Sequence, residues 1–405
     1  MTAEPLERVS RLDEIPLQAL RALAAAYADE LVALRRDLHT HPELSWFEER
    51  TTAVLRERLL EARLRPEVLP GGTGLVCDVG EGDLAVALRA DIDALPLADR
   101  KSVPYASTVE NVCHACGHDV HTAVVLGAGL VLADLDREGR LPGRVRLVFQ
   151  PAEESARSGA RSVVEAGGMN GVSRIFAMHC DPRLPVGRVG LREGAITTSA
   201  DHVRVQLSGR GGHTARPHLT GDLVFALGKV ITELPAALSR RVDPRAALSV
   251  VWGHVDAGRA ANAIPESGVV EGTVRCLDRE AWDAAPELVG ALVQAIVAPY
   301  DVRAELNYDR NVPPVENEPT SIELLRCAAV ATEGPDSVAS TERSLGGEDF
   351  SWYLSQVPGA LARLGVRPAH AETDVDLHQG LFDVDERAIS VGARVLVAAA
   401  LLTVG

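Results

Sequence analysis

The sequence predicts an α/β protein in which a larger α/β domain is interrupted by a smaller α+β insert. Three observations carry that reading. At 405 residues the chain is long for a single core. Apolar runs of strand length alternate with helical segments toward both ends. The middle of the chain instead follows a βαββαβ order, the split βαβ (ferredoxin-like) pattern of a two-layer α+β domain.

Residues 17–65 have helical character: Leu31, Leu34 and Leu38 recur at helical spacing, and after the Pro42 break the pattern resumes over 51–64. Beyond Gly71-Gly72 the texture turns to short β runs. Residues 85–89 form a buried-strand candidate, with Asp91 and Asp93 at its carboxyl end. Residues 119–135 read as a helix, with Asp119 placed to cap it. The strand candidate 144–149 runs into Gln150-Pro151-Ala152-Glu153-Glu154, and 173–178 ends in His179. A late run at 362–366 precedes the loop that carries His378. Ligands gather at the carboxyl ends of strands in open α/β sheets, and acidic or imidazole residues follow at least three such strands here.

In the middle segment, strands are expected at 202–208, 247–255, 269–277 and 302–308, with helices at 219–240 and 280–297. The expected domains are therefore 1–198 with 311–405, and 199–310. No internal repeat or low-complexity tract interrupts this pattern.

Composition limits the partners. The hydrophobic fraction is 46% but aromatics are only 4%, so Ala, Val and Leu must fill the core. A formal net charge of −16 argues against nucleic acid or an anionic membrane as the main partner. The six cysteines, at 77, 113, 116, 180, 276 and 327, are too sparse and uneven for a disulfide framework. The N-terminus is charged and lacks the apolar core of a signal peptide. The apolar stretch 389–405 is interrupted by Arg394 and reads as too short to cross a bilayer. A cytoplasmic location is expected.

The densest chemistry lies in Cys113-His114-Ala115-Cys116-Gly117-His118-Asp119-Val120-His121. Soft sulfur beside imidazole suits zinc or a similar divalent ion. Alone, the C-x-x-C could be a redox pair or half a zinc ribbon. No second C-x-x-C occurs, and a redox pair leaves His118 and the distant carboxylates unexplained. Glu153-Glu154 follows an apolar strand, where one carboxylate can hold a metal and the other take a proton from water. His39, His41, His254 and His370 read as structural or solvated. His213 stands in a glycine-rich segment, Gly209-Arg210-Gly211-Gly212-His213, whose backbone can approach a ligand closely.

Several ordered motifs then resemble the di-metal amidohydrolases that include hippurate hydrolase, bacterial aminoacylases and carboxypeptidases, and plant hydrolases of indoleacetic acid–amino acid conjugates. They are His41-Pro42-Glu43-Leu44-Ser45, Arg89-Ala90-Asp91-Ile92-Asp93-Ala94-Leu95-Pro96, His114-Ala115-Cys116-Gly117-His118-Asp119, Gln150-Pro151-Ala152-Glu153-Glu154, Gly211-Gly212-His213, Asn262-Ala263-Ile264-Pro265 and Glu348-Asp349-Phe350-Ser351. The resemblance runs from about residue 35 to the C-terminus. It implies a zinc-peptidase-like catalytic domain with the insert as a lid and dimerisation domain.

The resemblance further implies two divalent ions (zinc, manganese, cobalt or nickel) held by Cys116, His118, Glu154, His179 and His378, with the Cys116 thiolate bridging. Glu153 would be the general base. His213 would steady the oxyanion, reaching a partner subunit's site, and Asn262 and Arg275 would hold substrate polar groups or a carboxylate. The implied activity is cleavage of the amide of N-acyl amino acids by a metal-bridged water, with a carboxypeptidase or dipeptidase as the alternative. A homodimer or higher homo-oligomer is implied. A non-catalytic metal-binding protein is disfavoured, since the base and all five candidate ligands are present, and a thiol redox protein would leave Glu153-Glu154 and His378 without a purpose. Two departures stand out: His378-Gln379-Gly380 lacks the proline that relatives often place after the last ligand, and Cys113 stands where they usually carry methionine.

Overall fold

The computed structural model describes residues 17–368 and 375–404, so His370 lies outside the described residues. The chain divides into two compact units, Met1–Gly194 with Asn317–Glu342 and Trp352–Gly405, and Ala195–Glu316 with Arg343–Ser351. The smaller unit thus extends further at both ends than the expected 199–310 and takes back a late segment. Tertiary bonds explain the return: Ser344 N–H donates to Ile196 O at 2.8 Å, and Thr198 Oγ1 donates to Leu345 O at 2.8 Å. No local pattern announces such bonds.

The larger unit opens with three helices, α1 (Leu17–Ala26), α2 (Ala28–Thr40) and α3 (Glu49–Glu61). Strands β1 (Glu67–Val68), β2 (Leu75–Val79) and β3 (Ala85–Asp91) follow, then α4 (His118–Arg137), β4 (Arg144–Gln150), α5 (Gly159–Glu165), β5 (Val172–Pro185) and β6 (Val189–Leu191). Every residue of β3 is buried, as expected of a central strand with parallel neighbours β4 and β5 covered on both faces. The long helix α4 fits between layers because it carries glycine where neighbours press closest. A Cβ on Gly127 would lie 2.5 Å from Leu31 Cδ1, and one on Gly129 would lie 2.3 Å from Leu147 Cδ1.

The smaller unit comprises β7 (Ala200–Gly209), α6 (Leu223–Arg241), β8 (Ser249–Ala257), β9 (Ser267–Arg275), α7 (Arg279–Val297) and β10 (Val302–Val312). Its sheet runs β8-β9-β7-β10 with every pair antiparallel. Strand β7 alternates cleanly: Val203, Val205 and Leu207 are buried, while His202, Arg204 and Gln206 face solvent. The buried set packs with Val230 and Leu234 of α6 and Val289 and Val293 of α7. Helix α7 starts where Asp278 accepts the Ala281 N–H at 2.8 Å.

The chain then returns to the larger unit as α8 (Pro319–Glu333), β11 (Val338–Ser340), β12 (Gly359–Arg367) and α9 (Arg387–Val404). Strand β12 slots between β5, to which it is parallel, and β6, completing the order β1-β2-β4-β3-β5-β12-β6-β11.

Two expectations need correction. Among the described residues, α4, α7 (counted to Tyr300) and α9 are each long and apolar enough to cross a membrane by length and composition, so the stretch near the C-terminus is not too short. Arg394 does not interrupt its helix, because Glu333 holds its guanidinium through Nε and Nη2, each at 2.7 Å. The apolar windows of α4 and α9 are 94% and 72% buried, which makes them core helices of this unit. The second correction concerns Asp119, which is not the N-cap: α4 begins at His118 after a left-handed Gly117, and Asp119 Oδ1 accepts only the adjoining Val120 N–H, at 3.0 Å. The Asp119 carboxylate is instead committed to Arg35 and His39, each at 2.7 Å.

Candidate metal centre

Four segments of the larger unit deliver the candidate ligands. The loop into α4 brings Cys116, and the first residue of that helix is His118. The turn after β4 carries Glu153 and Glu154. His179 lies within β5, which runs on to Pro185 and does not end at the histidine. The loop after β12 carries His378, whose N–H donates to Ala115 O at 2.8 Å. The backbone is left-handed at Gly117 (φ 86°), Ala152 (φ 53°) and His378 (φ 60°). For the two non-glycines this is a strained region that surrounding bonds must hold.

These segments bring all five expected ligands and Glu153 into one cluster. Cys116 Sγ lies 3.5 Å from His179 Nε2, and His378 Nε2 lies 3.3 Å from Glu154 Oε1. His118 Nε2 is 3.9 Å from the same Glu154 oxygen. Cys116 with His118 and His179, Cys116 with Glu154 and His378, and His118 with Glu153 and Glu154 each place their donor atoms within 4.8 Å. Cys116, His118 and Glu154 each belong to two of these groups. His118 Nε2 and Glu154 Oε1 are buried with no hydrogen-bond partner. Such orphaned groups are costly, and a cation among them would satisfy both.

The surrounding bonds fix which imidazole nitrogen faces inward. His118 Nδ1 lies 2.9 Å from Asp93 O and 3.1 Å from Asp93 Oδ1, so it carries the proton and leaves the Nε2 lone pair for a metal. His179 Nδ1 donates likewise to Cys180 O at 2.9 Å. Asp93 Oδ2 accepts from Ser45 Oγ at 2.7 Å and from the Glu154 N–H at 3.0 Å. His121 belongs to this supporting layer: Nδ1 bonds Asp91 at 2.6 Å and Nε2 accepts the Cys180 N–H at 2.8 Å, leaving no nitrogen for a metal. Asp91 is also held by Arg89 at 2.7 Å.

The electrostatics are those of a site built around positive charge. Burial and the carboxylates of Glu154, Glu153 and Asp91 push the Cys116 thiol well up. Burial opposes charge on His118, yet Asp91, Asp93 and Glu154 hold the metal-free ring up at about 10. The Glu154 carboxylate, 3.3 Å away, raises His378. Burial, then His121 and Arg363, keep His179 neutral. The donor set of thiolate, imidazole and carboxylate fits borderline divalent ions such as zinc.

Sequence reasoning placed Asp91 and Asp93 at a strand end and His121 in the dense Cys113–His121 segment, but gave none of the three a task. The usable signal was spacing, since two aspartates that closely follow a buried strand must point toward whatever lies beyond it. His39 has the structural role expected, buried between Asp119 at 2.7 Å and Asp99 at 3.3 Å.

The remaining candidates belong to the smaller unit. His213 and Asn262 are neighbours there: Ala263 pairs with His213 across two short strands, and Thr214 N–H donates to Asn262 O at 3.2 Å. The exposed His213 ring accepts the Ala215 N–H on Nδ1 at 3.0 Å, which puts its proton on Nε2. Arg275 closes the opposite end of β9, roughly 25 Å along an extended strand, and donates to Leu345 O at 2.6 Å.

Comparison with known proteins identifies the setting. The chain is 51% identical over 370 residues to a Rhodococcus jostii (strain RHA1) protein that bears the name of a glutamate–cysteine ligase; the match covers 91% of this chain. It spans only about half (46%) of that longer relative. It is 38% identical over 372 residues to the N-acetylcysteine deacetylase of Bacillus subtilis (strain 168), covering 91% of this chain and 95% of the relative. The crystal structure of the Bacillus subtilis YXEP protein, described as a dinuclear metal-binding peptidase, superposes with a TM-score of 0.82 at 35% identity, covering 94% of this chain and 99% of that one. Residues 87–402 match peptidase family M20/M25/M40, a span that holds every residue of the cluster, and the chain belongs to that family.

Proposed function

We propose that this chain hydrolyses the amide bond of N-acyl amino acids at a two-metal site formed by Cys116, His118, Glu154, His179 and His378. The observation that supports it most is the convergence of those five donors with Glu153, together with two buried orphan atoms aimed into the cluster. Two divalent ions, when bound, supply Lewis acidity and lower the pKa of a coordinated water. Glu153 accepts that water's proton as the amide carbonyl is attacked, then passes it to the departing amine. Asp93 keeps His118 in the ligating tautomer and anchors the Glu154 backbone.

His213, supplied by a second copy in a homodimer, donates its Nε2 proton to the oxyanion; the Nδ1 bond to Ala215 favours that tautomer. Asn262, brought by the second copy beside His213, and Arg275 of this copy hold polar groups of the substrate, and the smaller unit, as a lid, excludes water. Arg275 spends one donor on Leu345 O and has others left for a carboxylate. Six free cysteines suit a reducing cytoplasm. The deacetylase among the relatives supports a small acyl group. The dinuclear peptidase supports the alternative, a carboxypeptidase or dipeptidase using the same residues.

The deciding experiment restores Mn²⁺, Zn²⁺ or Co²⁺ singly to metal-stripped protein and measures amine release. The substrates are N-acetyl, N-benzoyl and long-chain acyl amino acids, including N-acetylcysteine, and dipeptides. Metal-restored cleavage of N-acyl substrates supports the first reading, and cleavage of dipeptides alone supports the second. Glu153→Ala abolishes turnover while keeping its metal; substantial residual activity would refute the base assignment.

A further inference from the structure

The motif at His41-Pro42-Glu43-Leu44-Ser45 contributes no candidate ligand, yet the structure gives it and the next three residues a definite place. Glu43 accepts from the Arg50 and Thr51 N–H groups at 2.8 and 2.7 Å, anchoring the first turn of α3. The segment between that anchor and the helix then reaches the metal centre three times. Ser45 Oγ bonds Asp93 Oδ2 at 2.7 Å. Trp46 Nε1 donates to Ser155 Oγ at 3.1 Å. Glu48, fully buried, accepts the Ala152 N–H on Oε1 at 2.8 Å. Its Oε2 has no hydrogen-bond partner.

Those contacts bracket the turn that carries Glu153 and Glu154. Ala152 sits at φ 53°, a conformation that a side-chain-bearing residue holds only under constraint. Its C=O is taken by the Gly159 N–H at 3.1 Å, so Glu48 secures the other side of the same peptide residue. A buried carboxylate with one oxygen unpartnered is an expensive way to fill space. A hydrophobic residue would fill it at less cost but could not accept that N–H.

We infer that segment 45–48 is a clasp for the catalytic turn and that Glu48 is a positioning residue for Glu153, holding Ala152 in the left-handed conformation that aims the base. This rests on Glu153 being the general base. Glu48 touches no substrate in this scheme and acts only through the backbone of residue 152.

The test compares metal-loaded wild type, Glu48→Ala, Glu48→Gln and Trp46→Phe by kcat, KM, metal content and melting temperature. Glu48→Ala lowers kcat about 10- to 100-fold, the cost of a reacting group displaced by about an ångström, with KM and metal content unchanged. Glu48→Gln keeps an acceptor oxygen for Ala152 and regains most of the rate. Trp46→Phe, which keeps the ring and loses the bond to Ser155, gives a smaller loss of kcat and covers the case in which Glu48→Ala does not fold. A wild-type kcat in Glu48→Ala overturns the proposal. So does parallel loss of metal and stability, which would make Glu48 merely structural, or a Glu48→Gln as slow as Glu48→Ala. Activity in Glu153→Ala sinks the base assignment itself, whereas an inactive Glu153→Ala beside a fully active Glu48→Ala sinks the clasp alone.

Discussion

Asp93→Asn tests how the supporting layer controls metal affinity. The carboxylate is buried and accepts from three donors: the His118 ring at 3.1 Å, Ser45 at 2.7 Å and the Glu154 backbone at 3.0 Å. Asparagine keeps the shape but turns one acceptor into a donor. Whichever way the amide lies, an N–H then faces an N–H. A buried donor left unpaired costs about 1–3 kcal/mol, and loss of a partner behind a ligating histidine typically costs about 10- to 100-fold in metal affinity. His118 keeps a second acceptor, the Asp93 carbonyl at 2.9 Å, which asparagine does not disturb. The expected loss is therefore near the lower end, about tenfold or ~1.4 kcal/mol. Asp93→Ala, which removes all three side-chain bonds, approaches about 100-fold. Chelator-competition titration with Zn²⁺ reads both values. Wild-type affinity in both variants, with melting temperatures lowered, would show that Asp93 supports the fold and not the metal.

Further outcomes follow from neighbouring residues. Gly117→Ala forces a Cβ to 2.7 Å from Cys180 Sγ at φ 86°; the backbone alone costs roughly 1–2 kcal/mol, so both melting temperature and metal occupancy fall. Co²⁺-loaded protein shows a thiolate-to-metal charge-transfer band that Cys116→Ser abolishes and Cys113→Ser leaves in place, read by near-ultraviolet absorption. The His39–Asp119 pair makes stability pH-dependent. Burial works against the charged ring, but Asp119 and Asp99 raise His39 to about 10. Its contribution is complete below the unfolded value of about 6.5 and is lost as pH rises through 10. Metal-free protein should therefore melt at lower temperature between pH 7 and 10, and His39→Gln should flatten that slope in a thermal-melt series.

Local patterns in the sequence were enough for most elements, because each depends on residues close in the chain. The alternation in β7 and the apolar run that opens β3 are of this kind. The five candidate ligands and Glu153, which the fold gathers into one cluster, could be singled out in the sequence because cysteine and histidine are sparse there and stand in ordered motifs. What escaped was tertiary. Asp119 looks like a helix cap until Arg35 and His39 arrive from α2 to claim it. Likewise, nothing local joins Arg343–Ser351 to residues 196–198, and no spacing rule connects Glu48 with Ala152. Arg275 and Asn262 are close in sequence terms, yet the intervening strand carries them apart.

The placement of β12 has a consequence for biosynthesis. This strand is made after the entire smaller unit, yet it lies between β5 and β6, both finished long before. Until residues 359–367 leave the ribosome, β5 presents an unpaired edge with His179 on it, and the loop with His378 does not yet exist. Four of the five proposed donors therefore wait through synthesis of the entire smaller unit for the fifth. Sheet closure and completion of the ligand set thus happen in the same late interval, a non-local step that is slow and exposed to mispairing. An ion captured before that interval would be held by an incomplete shell of the proposed donors.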